Sequence, residues 1–242
     1  MPALNPAKKP NIAVIICAAG FSNRMSGKKK EYLPLPSSDG RQLTVLGAVV
    51  TTFASCKKIG PIIITVPAGD EETARSCLPT EFTEKQGRII FAIGGSSRRT
   101  SVHNALLCLK ELKPSHVLIH DGARPWIKKS LIEEIIDATL KHGAVIPVLP
   151  LVETPKELNN DDPGFIKRHL RRDSLCTAQT PQGFSFPEIL KAHEKAAERE
   201  REGFIFTDDA EVWGEFIGRV AVISGDPENR KITYIGDLEN GK

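Results

Sequence analysis

The sequence predicts an α/β fold built on a mainly parallel sheet flanked by helices. Three observations carry that expectation. Short apolar runs recur along the 242 residues, nearly free of polar side chains, as strands covered on both faces require. Amphipathic segments separate them, giving the β-α-β alternation of a parallel sheet. Polar, small-residue clusters follow several of the runs directly, at the strand ends where open α/β sheets bind ligands.

Taken in order, the strand-like runs are Ile12–Cys17, Ile62–Val66, Ile89–Ile93, Val117–His120 and Ala144–Leu149. The segments between them are Val45–Ser55, Glu71–Leu78, Thr100–Leu112 and Leu131–His142. The last two have clear helical spacing: Val102, Ala105, Leu106 and Leu109 share one face, and Leu131, Ile132, Ile135 and Ile136 another. After Pro150 the alternation stops. Residues Val152 to Asp173 form a polar excursion with Pro155, Pro163 and Gly164, readable as a surface loop or as a hairpin arm that meets a second subunit. A charged helix is expected from Pro187 to about Glu202, a helix N-cap at Thr207-Asp208-Asp209 and a further strand at Val220–Ser224. Without repeats or a low-complexity linker, residues 1–242 read as a single domain, with the arm at about 152–175.

Bulk properties narrow the function. Hydrophobic residues make up 40% and charged residues 26%, ordinary for a soluble globular chain. A net charge of +3 argues against a nucleic-acid or membrane surface, so any positive patch must be local. The five cysteines are scattered without a C-x-x-C, which suits reduced thiols in a cytoplasmic protein. The six histidines form no metal-binding pattern. The N-terminal MPALNPAKKPN lacks the apolar core of a secretory signal, and no apolar stretch reaches the length of a membrane span.

Three clusters fall at strand ends. AAGFSNRM after the first strand fails both common phosphate fingerprints: Gly20 and Gly27 are spaced wrongly for a P-loop, and Ser22 breaks G-x-G-x-x-G. What remains is a small-residue loop with Arg24 and Lys28-Lys29-Lys30, which suits a polyphosphate or, equally, a solvated basic loop. GGSSRRTS after the third strand offers two glycines for close contact with a flat ligand, and hydroxyls such as Thr100 or Ser101 that capping alone would explain. HDGARP after the fourth puts Asp121 where a ribose or a phosphate-bound metal is met, or where a turn aspartate pairs with Arg124.

Together these pieces resemble the 2-C-methyl-D-erythritol 4-phosphate cytidylyltransferases of the non-mevalonate isoprenoid pathway. AAGFSNRM, KEYL, GGSSRRTSV, HDGARP, ETPK, TAQTPQGF, TDDA and ENRKIT carry the resemblance, in the family's order, from Ile12 to about Leu238. It implies a Rossmann-like nucleotidyltransferase fold with a protruding β-arm, Mg²⁺ dependence and a homodimer formed through that arm. By the same resemblance Ala18, Ala19, Gly20, Gly95 and Ser101 hold the nucleotide, and Asp121 and Gly122 contact ribose, Asp121 also near the metal. Arg24, Lys30 and Lys231 are the catalytic cations. Arg124, Thr180 and Thr207 line the sugar-phosphate pocket, while Thr154 and Arg172 are offered by the arm to the neighbouring subunit. The chain departs from the pattern at Lys29, where proline is usual, at Ser96, where an acid is usual, and at Gly122, where alanine is common.

The implied reaction joins CTP to methylerythritol phosphate and releases pyrophosphate. An acceptor phosphate is already an anionic nucleophile, so no Ser-His-Asp device is needed. Positioning and fixed positive charge are. On this view Lys30 is the important lysine of its loop, and Lys28 and Lys29 are solvated neighbours. A pentitol (ribitol) 5-phosphate cytidylyltransferase and a non-catalytic nucleotide-binding module are the alternatives.

Overall fold

The computed structural model describes residues 11–20, 29–36, 42–83 and 88–239. Its first half runs β1 (Ile12–Cys17), a short strand pair β2 (Pro34–Leu35) and β3 (Leu43–Thr44), α1 (Val45–Ala54), β4 (Ile59–Val66), α2 (Glu71–Ser76), α3 (Thr80–Thr83), β5 (Ile89–Ile93), α4 (Arg98–Leu109) and β6 (His116–Asp121). The second half runs α5 (Lys129–His142), β7 (Ala144–Pro150), β8 (Lys156–Leu158), β9 (Ile166–His169), β10 (Cys176–Ala178), β11 (Gln182–Ser185), α6 (Phe186–Arg201), α7 (Asp209–Phe216), β12 (Ala221–Ser224) and α8 (Gly236–Glu239).

The central sheet has the order β10-β7-β11-β6-β1-β4-β5, with β12 also paired to β7. The pairings β1–β4, β4–β5, β1–β6 and β7–β12 are parallel. The expected mainly parallel sheet is thus present. The parallel strands β1, β4 and β5 are mostly apolar because both faces of the sheet are covered there. Ile12, Val14 and Ile16 pack into a layer with α1 and α5, through Leu46, Val49, Ile132 and Ile135. The alternate residues Ala13 and Ile15 pack into the opposite layer with α4, α6 and α7, through Leu106, Ile189 and Val212.

Helix starts follow side-chain caps. Thr44 Oγ1 accepts from Gly47 N at 2.9 Å to open α1. Ser97 and Thr100 form a reciprocal capping box, so α4 starts at Arg98, two residues before the expected Thr100. Asp208, the middle residue of the expected cap, accepts from Glu211 N at 2.8 Å and opens α7. Gly143, with φ 78°, closes α5 in a conformation that alanine would resist.

The sequence reading missed β11. It enters the sheet antiparallel between β6 and β7. Its four residues are polar or small except Phe184, and no apolar run announces it. Buried Gln182 is tolerated because its amide donates to Asp208 Oδ2 at 2.8 Å and its carbonyl accepts from Ala210 N at 3.1 Å. In the polar excursion after β7, β8 and β9 form an antiparallel hairpin. Its flanks expose Val152 and Phe165.

Candidate active site

Asp121 ends β6 with its carboxylate nearly buried. A buried carboxylate needs partners, and three cations supply them. Lys231 Nζ lies 3.0 Å from Oδ2, Arg124 Nε 3.2 Å from the same oxygen, and Arg98 Nε 3.6 Å from Oδ1. Burial opposes its charge, yet Lys231, Arg98 and Arg124 hold its carboxyl well below the usual range. These residues come from three parts of the chain: the start of α4, the turn after β6 and the segment before α8.

The Lys231 segment is fixed by its backbone. Ile232 N donates to Ala123 O at 2.8 Å, and Arg124 Nη1 donates to Asn229 O at 2.9 Å. Asn229 Nδ2 donates to Thr180 O at 2.7 Å, and Gln179 Nε2 to Asp226 O at 2.9 Å. Lys30 joins the same segment, its ammonium donating to Ile232 O at 2.8 Å. Lys30 and Lys231, both expected as catalytic, are therefore brought together. Glu31 is buried, and that burial raises its pKa against the pull of Lys29, Lys30 and Lys231.

Arg98 has a second anchor. Its Nη1 lies 2.7 Å from Asp209 Oδ2, and Asp209 Oδ1 lies 3.2 Å from His193 Nε2. Asp209 and His193 are fully buried, on α7 and α6. Burial works against the Asp209 carboxylate, but Arg98 and His193 keep its pKa low. The result is a chain of polar contacts from His193 on α6 through Asp209 and Arg98 to Asp121. None of Arg98, Asp209 or His193 was singled out from sequence. The available signal was the first arginine after the glycine pair and the second aspartate of TDDA, which reads as capping.

Thr180 and His120 hold the other side of Asp121. The Thr180 hydroxyl accepts from Asp121 N at 3.1 Å and lies 3.0 Å from His120 Nδ1, while His120 Nε2 lies 3.2 Å from Arg124 O. These contacts fit a neutral imidazole that accepts from Thr180 and donates to the Arg124 carbonyl. Burial pushes the His120 pKa down to about 4. Thr180, expected to line the acceptor pocket, spends its hydroxyl here on positioning Asp121.

At the end of β1, Ala18 N donates to Thr65 O and to Thr65 Oγ1, at 3.1 and 3.2 Å. Gly95 N donates to Ser101 Oγ at 3.0 Å, and that hydroxyl donates to Ser97 O at 2.8 Å. The glycine pair is demanded by the protein itself: a Cβ at Gly94 would collide with the Ala19 side chain, and one at Gly95 with Thr100. A Cβ at Gly122 would meet Cys17 O at 2.9 Å, so alanine would not fit here without a shift.

The remaining expected residues lie apart from this network. Thr207 is exposed, its hydroxyl donating to Glu211 Oε2 at 2.8 Å. Thr154 is exposed between β7 and β8, and Arg172 Nη1 donates to Val152 O at 2.8 Å. Arg24 and Lys28 lie outside the described residues. Lys29, expected as solvated, is not: it donates to two backbone carbonyls.

Among the described residues no group of three or more His, Cys, Asp or Glu could hold a metal ion, and no helix is long and apolar enough to cross a membrane. Asp121, kept ionised, fits the one-carboxylate mode in which Mg²⁺ leans on substrate phosphates for its other ligands.

The chain matches the family model described as IspD, 2-C-methyl-D-erythritol 4-phosphate cytidylyltransferase, over residues 12–242. It is 37% identical over 197 residues to a bifunctional enzyme IspD/IspF of Brucella abortus, covering 81% of this chain and 48% of that protein. It is 36% identical over 229 residues to a bifunctional enzyme IspD/IspF of Chelativorans, covering 94% and 53%. The chain thus spans about half the length of these curated relatives. Among solved structures, a 4-diphosphocytidyl-2C-methyl-D-erythritol synthase from Anaerococcus prevotii superposes with a TM-score of 0.80 at 29% identity, covering 96% of this chain and 95% of that one. A 2-C-methyl-D-erythritol 4-phosphate cytidylyltransferase from Francisella tularensis gives 0.75 at 26% identity, covering 95% and 97%.

Proposed function

Because the chain belongs to the 2-C-methyl-D-erythritol 4-phosphate cytidylyltransferase family, we propose that it transfers a cytidylyl group from CTP to 2-C-methyl-D-erythritol 4-phosphate, giving 4-diphosphocytidyl-2-C-methyl-D-erythritol and pyrophosphate. The observation that carries this reading is the convergence of Arg98, Arg124 and Lys231 on Asp121, with Lys30 beside them. The reaction brings two polyanions together and loads further charge on the α-phosphoryl group. Cations prearranged at that point lower the barrier without having to reorganise.

In this reading Ala18, Ala19, Gly20, Gly95 and Ser101 seat the nucleotide, and Gly122 lets the ribose approach the end of β6. Lys30, Lys231 and Arg24 neutralise the phosphates. The acceptor phosphate attacks in line, already ionised, so no residue here has to remove a proton. Arg124, Thr180 and Thr207 border the acceptor. Asp121 would hold Mg²⁺ together with phosphate oxygens, and the bound ion would supply Lewis-acid charge at the reacting phosphoryl group. Three cations keep Asp121 ionised against its burial, which suits that task.

The reading includes a homodimer in which Thr154 and Arg172 of one arm serve the other subunit's site. Exposed Val152 and Phe165 in the 152–175 excursion support a contact there. We place the work of the enzyme in the cytoplasm, where free thiols such as Cys56 stay reduced.

The test is pyrophosphate release from CTP with each acceptor in turn. Turnover with methylerythritol phosphate and little with ribitol 5-phosphate supports the reading. The reverse preference makes the chain a pentitol-phosphate enzyme. CTP binding without pyrophosphate release from either acceptor makes it a binding module.

A further inference from the structure

Lys29 stands where the resembled family commonly carries proline, and its backbone explains how both residues suit the position. Its φ is −66°, the value a proline ring imposes. The side chain adds what proline cannot. Its ammonium donates to Ala18 O at 2.6 Å and to Gly20 O at 2.7 Å, bridging the two carbonyls that flank Ala19. It also lies 5.6 Å from the centre of the Tyr32 ring, whose hydroxyl is 3.4 Å from Asp70 Oδ2. Burial lowers the Lys29 pKa, with Glu31 and Asp70 opposing that shift, so the carbonyls stand in for lost water.

Among the described residues, Lys29 is what holds the far end of the bridged segment. Ala18 is anchored to Thr65, but a Cβ at Gly20 would meet nothing within 4 Å, and glycine is the residue with most backbone freedom. The peptide unit is planar, so fixing the Ala18 carbonyl also fixes the direction of the Ala19 N–H. Ala19 in turn packs where Gly94 leaves room for it. One ammonium therefore sets the shape of the segment between β1 and the glycine pair after β5.

We infer that Lys29 is a positioning residue that clamps Ala18–Gly20 into the shape that receives CTP, an inference that rests on the cytidylyltransferase reading of that segment. The clamp acts through the backbone and touches no reacting atom. Charge-assisted hydrogen bonds are the stronger kind, and two of them on one short segment make a local effect measurable.

Three variants separate the ammonium from the backbone shape. Lys29→Met keeps the length and removes the charge, Lys29→Pro keeps φ and removes the side chain, and Lys29→Arg restores a cation. Two measurements are made on each: hydrogen exchange of the peptide covering residues 12–20 in the protein without nucleotide, and steady-state kinetics. Lys29→Met and Lys29→Pro should exchange faster at residues 18–20 and raise KM for CTP about tenfold, with a smaller change in kcat and in KM for the acceptor. Lys29→Arg should recover most of both. Wild-type exchange in Lys29→Met overturns the clamp. So does a Lys29→Pro enzyme with wild-type KM for CTP, or a Lys29→Met enzyme that binds CTP more tightly. If the wild-type protein releases no pyrophosphate from CTP, the cytidylyltransferase reading fails, while the exchange comparison still decides whether the clamp exists.

Discussion

The end of β6 and the arm are both charged, but they are built in opposite ways. At Asp121 a nearly buried carboxylate gathers cations from distant parts of one chain, and Arg98 and Arg124 are each held by a further partner, down to Asp209 and His193. On the arm, Glu157 meets Lys167 and Arg168 at 3.1 and 2.8 Å across a hairpin open to water. Pairs of the second kind add little to stability. Those of the first kind cannot lose a member without stranding a charge in the interior. The contrast teaches that the first site is assembled by folding within the chain, whereas the charged residues of the arm stay open to water.

The largest effect that would test this contrast is expected from Lys30→Ala. Removing a fixed cation beside the Lys231 segment should lower kcat by more than about 10²-fold. Wild-type kcat in that variant would remove Lys30 from the reaction. Asp209→Asn should come next. Arg98 would lose its buried counter-charge, costing on the order of 3 kcal/mol in urea unfolding and lowering activity through a displaced Arg98. An unchanged unfolding midpoint would mean that the Arg98–Asp209 pair behind Asp121 is not structural.

His120 sharpens the same side of the comparison through pH. Its folded pKa is pushed down to about 4 from an ordinary 6.5, so the unfolded chain binds the proton more readily between those values. Its contribution is fully present above pH 6.5 and is lost as the pH falls through 4. The total is about 3 kcal/mol. An imidazole resonance of His120 that titrates near 6.5 would contradict this burial effect. The arm gives the smallest expected change. Arg172→Ala should raise KM for the acceptor about tenfold, and verified heterodimers with Lys30→Ala subunits should regain activity if the arm works in trans. Heterodimers without recovery would confine each site to one chain.

The strands β1, β4, β5, β6 and β7 were legible because a doubly covered strand must be apolar along its whole length. Asp121 was legible from its place just past such a strand. Other features depend on contacts that sequence spacing does not encode. Arg98 meets Asp209 across 111 positions, as the difference of their numbers shows. Gln182 is buried yet satisfied by residues of α7. Lys29 differs again. Nothing in a run of three lysines tells which one turns back on the strand it follows, and that depends on the carbonyls of Ala18 and Gly20 being within reach.

The insertion of β11 between β6 and β7 also bears on how the chain is made. The β6 strand lies near the middle of the finished sheet, but the partner for one of its edges is residues 182–185. A ribosome adding about 5–20 residues per second leaves that edge open for several seconds after β6 has emerged. During that interval the N-terminal strands can pair, while β6 offers its unpaired amides and carbonyls to any extended segment nearby. Newly made chains should therefore be most prone to mispairing, and most in need of a chaperone, before Ser185 leaves the exit tunnel.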